Sequence, residues 1–143
     1  VVLKSSDPHC RIVGVSPERG ATMYESIKAG KPMVIAEQDT LADSLLGGIG
    51  LNNQYTFQMV QQYVDDIVLI EEKAIANGIG FMLDQHRMAV EGAAVAGIGA
   101  ILNKKVHLGS ENVIIISGCS VDTAVIIDAV NHYMSNKTAS VAD

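Results

Sequence analysis

Short unbroken apolar runs alternate along this chain with longer stretches in which apolar residues recur every three or four positions, the order of a βαβ protein. Three runs have the length of strands. "CRIVGV" (Cys10 to Val15) is closed by Ser16-Pro17, "DIVLI" (Asp66 to Ile70) is continuous, and "NVIIIS" (Asn112 to Ser117) is the clearest of the three. The last, unbroken and β-branched, reads as a strand buried on both faces of a parallel sheet. The stretches between have helical spacing. "ATMYESIKAGK" sets Met23, Tyr24 and Ile27 together with Gly30 just past the end, a short helix with a glycine C-cap. A second helix is expected from about Gln54 to Tyr63, with Phe57, Val60 and Val64 along one side. "EEKAIANGIGFMLDQH" carries two acids in its first turn and Ile75, Ile79, Met82 and Leu83 on one face. "MAVEGAAVAGIGAILNKK" reads as a further helix whose Gly and Ala residues let it pack closely, and another starts near Asp122. Val1 to Lys4 looks like a helix tail ended by "SSDP", and "PMVIAEQ" looks extended. The predicted fold class is α/β, a three-layer sandwich with a mostly parallel sheet flanked by helices and right-handed crossovers.

Composition narrows the function classes. The chain has 143 residues, 48% of them apolar, which suits one domain with a sizeable core. Ten Lys and Arg against 16 Asp and Glu give a net charge of −6, so no basic stripe is available and nucleic acid is not expected as a partner. No apolar run reaches the roughly 20 residues that span a bilayer, so no membrane partner is expected, and the reading is cytoplasmic. Cys10 and Cys119 form no CxxC and read as reduced apolar fillers. His9, His86, His107 and His132 lack metal-ligand spacing, so no metal site is expected. The apolar opening "VVLK", without an initiator Met, gives the expectation of a piece of something longer.

The phosphate-binding fingerprints are missing: "LLGGIGLNN" does not follow a strand and lacks GxGxxG spacing, no GxxxxGK[ST] occurs, and there is no GxSxG elbow. What remains is "SGCSVD" at the end of the "NVIIIS" run, the place where open parallel sheets bind ligands. Ser117 offers a hydroxyl, Gly118 permits close backbone approach, and Ser120 is a candidate cap for the following helix. The turn is either a plain strand-to-helix joint or a ligand site. Asp122 in the helix's first turn disfavours a phosphate and leaves a neutral or weakly polar ligand atom as the expected partner of Ser117.

Several segments taken in order carry a resemblance: "RIVGVSPERGATMYESIKAGKP", "TLADSLLGGIGLNNQYTF", "DDIVLIEEKAIANGIGFMLDQHRMAVEGAAVAGIGAIL" and "NVIIISGCSVD". Together they resemble the C-terminal half of threonine/serine dehydratases of the pyridoxal-phosphate fold-type II group, with "LADSLLGGIGLNNQYTF" most similar to the hydroxyectoine-utilisation dehydratases. The resemblance implies a partial fold-type II large domain over residues 1–143, a pyridoxal 5'-phosphate cofactor, a small amino-acid substrate and a homo-oligomer. The family's Ser-Gly-Gly-Asn turn matches Ser117, Gly118, Cys119 and Ser120, and its first serine hydrogen-bonds the pyridine nitrogen. Its Ala-Asp-Gly segment, which lines the cofactor pocket, matches Ala42, Asp43 and Ser44. Its Val-Glu-Gly matches Val90, Glu91 and Gly92 with the glutamate close to the ring; otherwise Glu91 is an exposed acid opening the next helix. Cofactor-binding candidates are therefore Ser117, Gly118, Glu91, Asp43 and Ser44. Ser16 and Thr22 stand where some relatives bind a divalent cation through carboxylates, so that site is expected to be lost. No lysine of the chain, from Lys4 to Lys137, has the Ser-x-Lys-x-Arg-Gly-Ala setting of the family's Schiff-base lysine, and the glycine-rich phosphate cup is missing. No catalytic residue is therefore expected here, and the chain by itself is expected to be inactive. The alternative is a non-catalytic α/β module for ligand binding or assembly.

Overall fold

The computed structural model describes residues 1–139. Its elements are helix α1 (Val2–Ser6), strand β1 (Val13–Pro17), helix α2 (Thr22–Ala29), a 3-10 turn (Asp43–Leu45), helix α3 (Thr56–Tyr63), strand β2 (Asp66–Ile70), and helices α4 (Glu72–His86), α5 (Ala96–Leu102) and α6 (Thr123–Ala139). The strands pair in parallel, Val13 opposite Asp66 through Pro17 opposite Ile70, with α2 and α3 in the crossover between them.

Asp65 fixes the start of that pairing. Its carboxylate accepts the Ile12 N–H at 2.7 Å and the Lys4 ammonium at 2.8 Å, while its own N–H donates to the Ile12 carbonyl at 2.9 Å. A one-residue slip would break all three contacts and turn each side chain to the wrong face. The far end is continued by the Glu18 N–H on the Ile70 carbonyl at 3.0 Å.

The core is built around α4, whose Ile75, Ile79 and Met82 are buried as the spacing requires, with Leu83 half-buried. Helices α5 and α6 pack on α4, and α5 also packs on both strands. The small residues explain how close these helices come. A Cβ at Gly99 would lie 2.7 Å from the Ala74 carbonyl, and one at Gly80 would lie 2.3 Å from the Tyr133 Cβ. Each mid-helix glycine costs up to ~1 kcal/mol in helix propensity, which the tighter crossing offsets through added contacts. At the end of α2, Gly30 adopts φ 71 and closes the helix with its N–H on the Ile27 carbonyl, the expected C-cap.

Three expectations are corrected. "NVIIIS" is not a strand: residues 112–117 form no ladder, and among the described residues the sheet has two strands, β1 and β2. Nor is the run buried on both faces. Val113 and Ile115 are 93% and 77% exposed, whereas Ile114 reaches over Gly97 of α5 and Ile116 packs against the core. The segment is an extended edge with one face seated and one bare, because β-branched composition reports a demand for burial and cannot supply the neighbouring strand. Second, the helix expected across "MAVEGAAVAGIGAILNKK" is confined to Ala96–Leu102, after a turn over residues 92–95. Third, Cys10 is half-buried and Cys119 exposed, so neither is a core filler. "PMVIAEQ" forms no regular element. No helix of the described residues is long and apolar enough to cross a membrane.

Candidate functional site

Three chain segments meet at the Glu91 carboxylate. Glu91 precedes the turn that leads into α5, and its Oε2 accepts the Ser120 N–H at 2.9 Å, while the Ser44 hydroxyl approaches its Oε1 at 3.4 Å. Its own N–H donates to the Gly118 carbonyl at 3.3 Å. Gly118 is required here by proximity, since an added Cβ would stand 2.8 Å from Glu91 Oε2. The next residue is more constrained still: a Cβ on Gly92 would lie 2.0 Å from the Leu41 carbonyl oxygen. The sequence Val-Glu-Gly thus lets the 41–44 loop lie directly on the backbone that carries the glutamate.

That loop is held from a second side. Glu72, in the first turn of α4, accepts the Thr40 hydroxyl at 2.5 Å and the Leu41 N–H at 2.7 Å, and the Ala42 N–H donates to the Thr40 hydroxyl at 3.2 Å. Asp43 then turns the chain, its carboxylate accepting the Ser44 N–H at 2.7 Å. A charged acceptor on a backbone donor is stronger than a neutral pair, so the loop is ordered by charge-assisted bonds rather than by regular structure.

The candidates Asp43, Ser44, Glu91 and Gly118 are therefore brought together. Of these, Asp43 and Glu91 line a cleft of about 460 Å³, together with Thr40, Cys119, Ser120 and Asp122, while Ser44 and Gly118 touch Glu91 from behind that lining. Ser117 stands just outside that lining. It is exposed, on the bare face of the extended segment with Val113 and Ile115, and its hydroxyl has no hydrogen-bond partner among the described residues. Ser120 engages through its N–H rather than as a hydroxyl cap. The contributions of Glu72 and Thr40 were not visible in sequence. Glu72 reads there as an ordinary macrodipole acid, and nothing local signals a bond to a loop 31 residues earlier. Among the described residues no group of three His, Cys, Asp or Glu is placed to hold a metal ion.

Chemically, the cleft offers carboxylates, hydroxyls and backbone groups but no lysine or arginine in its lining. Such a wall fits a neutral or weakly polar group, with the Ser117 hydroxyl beside it. It does not fit a phosphate dianion, which needs cations or a run of free N–H groups.

Residues 1–118 match the family of pyridoxal-phosphate dependent enzymes. Over 130 residues the chain is 42% identical to an inferred threonine dehydratase of Sinorhizobium fredii, covering 90% of this chain and 39% of that protein. It is 34% identical over 131 residues to an L-threonine ammonia-lyase of Thermotoga maritima, covering 92% of this chain and 32% of the relative. Among solved structures, the processed form of threonine deaminase isoform 2 from Solanum lycopersicum superposes with a TM-score of 0.76 at 26% identity, covering 91% of this chain and 38% of that one. The chain thus spans between about a third and two fifths of the length of these relatives. Helices packed around a parallel sheet are here part of a fold-type II domain, and the enzymes of the matching family depend on pyridoxal phosphate. On this match of 118 residues, and on the likeness of fold, the chain belongs to the pyridoxal-phosphate dependent enzyme family.

Proposed function

We propose that this chain is the C-terminal part of the large cofactor-binding domain of a pyridoxal-phosphate-dependent dehydratase. The parent would remove water by β-elimination from threonine, serine or a hydroxyectoine-derived hydroxy-amino acid, releasing ammonia and a keto acid. The observation that carries the reading is the Ser117–Gly118 turn: it closes an extended apolar segment, is held at Glu91, and presents a hydroxyl with no partner of its own.

When bound, pyridoxal phosphate supplies an electron sink for the bond-breaking carbon, chemistry that belongs to the cofactor. This chain's residues would bind and orient it. Ser117 would hydrogen-bond the ring nitrogen through a neutral hydroxyl, which leaves that nitrogen largely unprotonated and restrains the sink, as elimination favours over transamination. Gly118 lets the Glu91 carboxylate lie against the turn that carries Ser117. Glu91, by holding the Ser120 N–H and the Ser44 hydroxyl, keeps the turn and the 43–44 loop at a fixed spacing, and Asp43 would border the cofactor beside it with Ser44 behind. With no cation lining the cleft, the phosphate grip and the covalent anchor would come from the rest of the parent, and this chain alone would be inactive. The reading places the parent in the cytoplasm as a homo-oligomer acting on a small amino acid.

The test is a turnover assay. The full-length parent, purified with pyridoxal phosphate, is expected to release ammonia and a keto acid from L-threonine, L-serine or a hydroxyectoine-derived hydroxy-amino acid. No release from any of these, with cofactor bound, would overturn the dehydratase assignment.

A further inference from the structure

A second crevice lies where α4 begins, α5 ends and the latter half of α6 passes. Its volume is about 250 Å³, below the range of drug-sized pockets and suited to a small metabolite. None of its lining residues belongs to the Glu91 cleft. The side chains of Ile70 and Ala74 are buried at its floor, and Glu71, Lys73 and Lys105 stand around it.

Among the described residues neither lysine and not Glu71 makes an ion pair or a side-chain hydrogen bond, although all three line one crevice. Lys105 is brought there by the ending of α5. Lys104 takes φ 55, a conformation L side chains seldom adopt, and the Lys105 N–H closes on the Ala100 carbonyl at 2.9 Å.

The wall between the charges is an ordered amide network. Asn136 donates to Asn77 Oδ1 at 3.2 Å and lies 3.1 Å from His132 Nε2, and Asn103 donates to the Gly99 carbonyl at 3.0 Å. These bonds leave the Asn77 amide donor and the Asn103 and Asn136 carbonyl oxygens free. The crevice therefore presents cations, one anion, and spare neutral donors and acceptors. A simple anion would leave Glu71 beside it unfavourably, and a simple cation would face two lysines. A zwitterion answers both signs.

We propose that this crevice binds a small α-amino acid, its carboxylate at Lys73 and Lys105 and its ammonium at Glu71, separately from the Glu91 cleft. This does not depend on the dehydratase assignment. The test is a titration of the full-length protein that contains this chain, followed by NMR of the asparagine side-chain amides, with L-alanine as probe and acetate, methylammonium and inorganic phosphate as partial mimics. L-alanine is expected to shift the Asn77, Asn103 and Asn136 amides with a dissociation constant on the order of 1 mM, and each mimic to bind about tenfold or more weaker. Lys73→Met, Lys105→Met and Glu71→Gln alter exposed side chains and are each expected to weaken L-alanine binding about tenfold. No shift with L-alanine, equal shifts with acetate or phosphate, or variants that bind as the native chain does would each overturn the proposal.

Discussion

Two glycines at the candidate site are demanded by different neighbours, and the difference is measurable. At Gly92 an added Cβ meets main chain, the Leu41 carbonyl, which cannot swing aside; at Gly118 it meets the Glu91 carboxylate, which can. Gly92→Ala is therefore expected to cost ~3 kcal/mol or more and Gly118→Ala ~1–2 kcal/mol, read as midpoint shifts in urea denaturation. Reversal of that order would show that the loops are not packed as described. Glu91→Ala removes the acceptor of the Ser120 N–H and is expected to cost ~1–2 kcal/mol, with faster hydrogen exchange at Ser120 than in the native chain. At this scale the sequence was partly legible. The family match of Asp43, Ser44, Glu91 and Gly118 pointed to residues that do converge, because hydrogen-bonding side chains and glycines leave motifs. Thr40 and Glu72 leave none, since a bond between distant segments depends on the tertiary path and not on local spacing.

Among the elements, the helices were the most readable. Gly30 at the end of α2, the acids opening α4 and the Ile75, Ile79 and Met82 stripe all do what their positions predict. The failures lie where an element needs a neighbour. Residues 113–117 alternate seated and bare side chains as an edge strand would, but among the described residues no strand pairs with them. The asymmetry predicts a clear contrast. Ile116→Ala, facing the core, is expected to destabilise the chain by ~2 kcal/mol or more, and Ile115→Ala, facing outward, by less than ~0.5 kcal/mol. Equal losses in a denaturation series would mean that both faces are covered. The shortened α5 has a similar cause. Gly92 is consumed by its contact with Leu41, so the helix starts only after that turn.

Among the described residues, the ion pairs Lys4–Asp65, Arg11–Asp66 and Lys137–Asp84 tie distant segments, and the first and last shift the groups they join. Asp65 is held below the ordinary carboxylate value, first by the Ile12 N–H and then by Lys4, and Asp84 is lowered by Lys137 and Gln85, with Lys137 raised in turn. Carboxyls with a depressed folded pKa contribute stability that is present above the unfolded value, about 4, and lost as pH falls through the folded one. Lys137 contributes below its ordinary value, about 10.4, and its share is lost as pH rises through the raised one. Stability from these groups should therefore be flat from mildly acidic to mildly alkaline pH, with loss at both extremes. Asp84→Asn should flatten part of each limb in pH-dependent urea melts, and an unchanged profile would mean that the Asp84–Lys137 contact of 2.7 Å is not held in solution.

At this scale too, parallel pairing and the α/β class were legible, because βαβ order survives in any window that contains it. The width of the sheet was not, because strand count depends on what lies alongside. Ser117 is the residue on which the proposed cofactor contact turns, and the affinity of the full-length parent for pyridoxal phosphate reads that contact. With native folding verified by denaturation, Ser117→Ala should weaken cofactor binding about tenfold, the loss of one hydrogen bond to the ring nitrogen. An unchanged dissociation constant would contradict the account, because the hydroxyl would then have no part in holding the ring.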